Sequence, residues 1–89
     1  MTNLEKYNRV FMKVFNVSED ALNSKFTFKD VTEWDSVAHL SLVSELEDTF
    51  DIMLDADDIL HYGSYLNGIC LLKKYNVEID SLKNDNESI

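Results

Sequence analysis

The chain has 89 residues, no proline, two glycines, one cysteine and a formal net charge of −9. That length fits one small domain with a modest core. The scarcity of turn residues argues against a sandwich or barrel, and the lone Cys70 excludes an intramolecular disulfide framework. An acidic surface repels nucleic acid and anionic lipid and attracts basic protein patches.

The first periodic segment carries Leu4, Tyr7, Phe11, Val14 and Phe15. Steps of three and four predict an amphipathic helix from about Thr2 to Phe15. Asn16-Val17-Ser18 breaks the period, and a short helical turn can start at Ser18. From Asn23 to Trp34 no period is clean; Phe26, Phe28, Val31 and Trp34 are expected to tuck a long loop against the core. A second helix is predicted from Ser36 to Phe50, with Val37, Leu40, Val43, Leu46 and Phe50 as its stripe, Leu42 widening it and Asp35 as N-cap. Asp51 to Asp55 reads as a loop with Ile52 and Leu54 pointing inward, and Ala56 to His61 as one short helix. Gly63 punctuates. Ser64 then caps a last helix bearing Tyr65, Leu66, Ile69, Leu72 and Tyr75, with Lys73 and Lys74 complementing its dipole. The expected fold is all-α, a small four-helix bundle of three main helices and one short helix. Residues 1–80 form the domain and 81–89 a polar, frayed tail.

No apolar run is long enough to span a membrane, and the N-terminus lacks the basic-then-apolar order of a signal peptide. A monomeric cytoplasmic protein is the expectation. Charge is also unevenly placed. Between Val31 and Leu72 there is no lysine or arginine, while Glu33, Asp35, Glu45, Glu47, Asp48, Asp51, Asp55, Asp57 and Asp58 all lie there. A solvated acidic face that keeps a small protein in solution explains this equally well.

Ser36 opens the best helix directly after an acidic cap. A phosphate there would gain from the free N–H groups and the helix dipole, although Asp-Ser is a common dipeptide and an ordinary cap accounts for it by itself. The longer string is more specific. Asp35-Ser36-Val37, the aliphatic stripe behind it, Leu46-Glu47-Asp48 leading to Phe50, then Ile52, Leu54, the acidic turn Ala56-Asp57-Asp58 and a final helix at about Ser64 to Tyr75 resemble the modification-site region of acyl carrier proteins without a gap across some forty residues. The resemblance implies a bundle of acyl-carrier-protein type that is a carrier and not an enzyme. A phosphopantetheinyl transferase would place 4′-phosphopantetheine, from coenzyme A, on Ser36. The arm would hold an acyl group as a thioester and present it to an acyl ligase or acyltransferase and to synthase-type enzymes with basic docking patches. Docking would fall on Asp35, Val37, Glu45, Glu47 and Asp48. Ala38 and Ser41 stand where the family is commonly acidic, and Trp34 and His39 are unusual beside the site. These departures point to a specialised pathway rather than general fatty-acid synthesis.

Two other readings stay open: an unmodified acidic helical interaction module, and a carrier of aminoacyl or hydroxyacyl cargo. His39, His61 and Cys70 have no zinc spacing, so His39 is expected to face solvent. The aspartates at 51–58 lack the glycine and closing glutamate of a calcium loop. Ser36, His39 and an aspartate could be drawn as a catalytic triad, but the sequence offers neither a substrate pocket nor an oxyanion hole to go with them.

Overall fold

A computed structural model describes residues 2–79; the expected tail at 81–89 lies outside the described residues. Four α-helices follow one another: α1 (Asn3–Phe15), α2 (Ser36–Phe50), α3 (Ala56–His61) and α4 (Tyr65–Lys73), with a 3-10 turn at Glu19–Ala21 after α1. Among the described residues there is no strand, so the fold is all-α.

Each long helix starts where its sequence supplies an acceptor. Thr2 and Glu5 form a reciprocal capping box at α1. Asp35 takes the Ala38 N–H at 2.9 Å at α2, and Ser64 takes the Asn67 N–H at 2.9 Å at α4. The ends use left-handed backbone without glycine. Asn16 (φ 56°), Asp51 (φ 55°) and Asn76 (φ 69°) adopt it, and their short polar side chains tolerate that region. After Asp51 and Asn76 the chain folds back, so that Ile52 N–H reaches the Glu47 carbonyl and Val77 N–H the Leu72 carbonyl.

One buried cluster runs through the bundle. Val10, Phe11 and Phe15 from α1 meet Leu42, Val43 and Leu46 from α2, Ile69 and Leu72 from α4, and Leu54 from the loop between α2 and α3. Phe26 and Trp34 insert from the long loop, as expected, with Phe11 against Trp34 edge-on at 5.8 Å and Phe15 at 5.2 Å. Phe28 departs from the expectation and stays half exposed. An isolated bridge pairs Thr27 with Ser64. Phe28 N–H donates to the Gly63 carbonyl at 2.8 Å and Tyr65 N–H to the Phe26 carbonyl at 2.9 Å. That pairing fixes the loop to the α3–α4 junction and leaves the Phe28 ring on the outer side.

At the α1–α4 contact the Tyr7 hydroxyl donates to the Tyr65 carbonyl at 2.6 Å. Its single proton is thereby used, so the Tyr62 hydroxyl, 2.7 Å away, must donate to Tyr7. Burial raises the pKa of both phenols, for Tyr7 with help from Tyr62 alongside. Gly68 packs directly over the pair, and a Cβ there would collide with both hydroxyls.

Candidate functional site

Ser36 is the first residue of α2 and is exposed. Asp35 spends its carboxylate on Ala38 N–H and its carbonyl on His39 N–H at 2.8 Å. No partner among the described residues takes the N–H groups of Ser36 and Val37. The start of α2 therefore offers a hydroxyl beside two free donors at the positive end of a helix.

Two of the five residues in the stripe predicted on α2 face outward, and both lie at the site. Val43 and Leu46 are buried, but Val37 is 73% and Leu40 65% exposed. The core face is set by Leu42, Val43 and Leu46, and this arc carries His39 and Ala38, not Val37 and Leu40, at its N-terminal end. Leu66 on α4 is similarly turned partly to solvent, and Cys70 is exposed.

Beside Ser36 a cleft of about 390 Å³ opens between α2 and α3. Ser36, His39 and Leu40 form one wall, Ile59 and Leu60 the other, and Phe28, Tyr62 and Gly63 close the ends. Leu60 is 79% exposed at its rim. The volume lies within the roughly 300–1,000 Å³ of small-molecule sites. Its lining is apolar and aromatic, and the Tyr62 hydroxyl is turned away into the core to meet Tyr7. On the other side of α2 a second hollow, about 430 Å³, holds Asp35, Val37, Ala38 and Ser41 together with the Lys13–Glu45 ion pair at 3.1 Å. An apolar chain fits the first hollow and not the second, where it would desolvate that pair.

His39 does not face solvent as the sequence suggested; it is half buried in the cleft wall. Its Nδ1 accepts from the Trp34 indole N–H at 3.0 Å and its Nε2 lies 2.8 Å from the Ile59 carbonyl. The reason is Trp34: a buried indole needs an acceptor, and one turn into α2 the imidazole supplies it. Phe28, Ile59, Leu60 and Tyr62 also escaped the sequence reading as site residues. The cleft is made by a long-range meeting of loop, α2 and α3, and no local period signals it.

The docking residues inferred for Ser36 are not all free. Asp35 and Asp48 are exposed. Glu45 is tied to Lys13 on α1, and Glu47 accepts the Leu54 N–H at 2.9 Å, which holds the loop after α2. On α3, Asp58 is bound by Tyr75 and Lys74. The Tyr75 hydroxyl first, then the Lys74 ammonium, holds its carboxyl below the usual range.

Among the described residues no helix is long and apolar enough to cross a membrane. Compared with protein-family models, curated proteins and solved structures, the chain finds no match.

Proposed function

We propose that this protein is an acyl carrier in a specialised cytoplasmic pathway, acting as a monomer. A transferase joins Ser36 Oγ to the phosphorus of the 4′-phosphopantetheinyl group; the pyrophosphate bond of coenzyme A breaks, adenosine 3′,5′-bisphosphate leaves, and the hydroxyl proton passes to a base of the transferase. The arm's thiol then carries the acyl group as a thioester, and partner enzymes perform the chemistry. The observation that carries this reading is the juxtaposition at Ser36: an exposed hydroxyl at a helix start, beside N–H donors that no described residue claims, at the mouth of an apolar cleft. The donors suit a phosphodiester. The cleft suits an apolar acyl chain over an aminoacyl or hydroxyacyl one, because the polar atoms of His39 and Tyr62 are already taken. Partners with a basic rim would meet Asp35 and Asp48, with Val37 and Leu40 as apolar contacts.

A second reading, an unmodified interaction module, draws support from the same exposed Val37, Leu40 and Leu60 in acidic surroundings. One experiment separates the two. Incubation with coenzyme A and a promiscuous phosphopantetheinyl transferase should add one phosphopantetheinyl unit by intact mass, and Ser36→Ala should abolish it. Unmodified wild type, with partner binding that survives Ser36→Ala, would favour the interaction module.

A further inference from the structure

We propose that His39 is a positioning residue: as a neutral imidazole with its proton on Nε2, it ties α3 to α2 and sets the width of the cleft beside Ser36. The inference concerns the cleft itself and stands whether or not Ser36 carries an arm.

The tautomer follows from the partners. An indole N–H can only donate, so Nδ1 of His39 must be bare; a backbone carbonyl can only accept, so Nε2 must carry the proton. A proton on Nδ1 would face the Trp34 N–H and leave that indole, on a residue 2% exposed, without an acceptor. The two rings lie nearly in one plane, with centroids 6.1 Å apart and planes 27° from parallel, as an in-plane N–H···N bond requires.

The mechanical consequence lies in α3. It has six residues and no side-chain cap at its N-terminus, and a helix that short does not hold itself. The Ile59 carbonyl sits in its last turn, where carbonyls lack helical partners. Its bond from Tyr62 N–H is long at 3.4 Å, and that to His39 Nε2 is 2.8 Å. His39 thus caps α3 from the neighbouring helix. Ile59 and Leu60 form the far wall of the cleft, so the clamp fixes how far that wall stands from Leu40. Asp58, held by Tyr75 and Lys74, anchors the other side of α3 to the end of α4, and that anchor does not face the cleft lining.

The test uses the full chain labelled with ¹⁵N. At neutral pH a two-bond ¹H–¹⁵N correlation spectrum should show His39 as the neutral Nε2–H tautomer. In His39→Leu, the amides of α3 should exchange with solvent about tenfold faster or more while those of α1 and α4 keep their protection, because α3 opens as a local unit. Two conservative variants separate the bonds. Asn carries an amide atom where Nδ1 was and should restore protection of the Trp34 indole proton but not of α3. Gln carries a donor where Nε2 was and should restore α3 but not the indole. A charged ring or an Nδ1–H tautomer at neutral pH would overturn the proposal. So would unchanged α3 exchange in His39→Leu, or identical exchange patterns in the Asn and Gln variants.

Discussion

The two halves of α2 use the same residue types for opposite purposes. In the C-terminal half, Leu42, Val43 and Leu46 are buried and join α2 to α1 and α4. In the N-terminal half, Val37 and Leu40 are as apolar but stand in solvent, beside Ser36 and the cleft. Leu40 and Leu42 are two residues and so about 200° apart on the helix, which is enough to send one to the cleft and the other to the core. An exposed apolar pair on a chain this acidic is not needed for folding. Under the proposed carrier function, this half of the helix would face cargo and partners.

The contrast can be broken most directly by shortening each leucine. Leu42→Ala removes a fully buried side chain and should cost about 2–5 kcal/mol of stability by urea unfolding. Leu40→Ala should cost less than about 0.5 kcal/mol while opening the cleft wall, so that an acyl chain loaded on the arm is less shielded from hydrolysis. Equal losses for the two would dissolve the distinction between the halves.

Gly68 sharpens the core side. Gly68→Ala puts a methyl group into the Tyr7 and Tyr62 hydroxyls. Overpacking of about 1–3 kcal/mol should exceed the gain in helix propensity of up to about 1 kcal/mol, giving a net destabilisation in thermal melts. At the site end, Asp35→Ala removes the cap of α2 and should cost about 1 kcal/mol, with slower modification of Ser36 as the helix start frays.

The smallest expected effect is a pH dependence. Asp58 has a lowered carboxyl pKa in the folded chain, chiefly through the Tyr75 hydroxyl and then Lys74. Its contribution is therefore present above the unfolded carboxylate value, about 3.9, and is lost as pH falls through the folded one. Tyr75→Phe should flatten this acid limb in unfolding curves measured below about pH 4. It should leave the stability difference between Leu40→Ala and Leu42→Ala unchanged at neutral pH.

Much of the scaffold was legible in the sequence because it is local. The caps at Asp35 and Ser64 and the apolar periods place α1, α2 and α4 to within a residue or two. The short α3 followed from its acidic start and from Gly63. What escaped was set by distant partners. Leu40 looks like a core residue to any count of spacing, since period alone cannot tell a buried stripe from a displayed one. His39 looks like a surface histidine until Trp34, five residues back, is known to be buried and in need of an acceptor. Phe28 owes its place to backbone pairing with Gly63, far along the chain. The position of Ser36 was readable from the cap before it; the cleft it opens on was not.

Three serines on α2, Ser36, Ser41 and Ser44, are exposed, but only Ser36 stands at the helix start and on the cleft. Tandem mass spectrometry of the intact chain, after treatment with coenzyme A and a phosphopantetheinyl transferase, therefore tests the central claim most directly. A single phosphopantetheinyl group localised to Ser36 is expected. A chain that stays unmodified, or carries the group on Ser41 or Ser44, would contradict it.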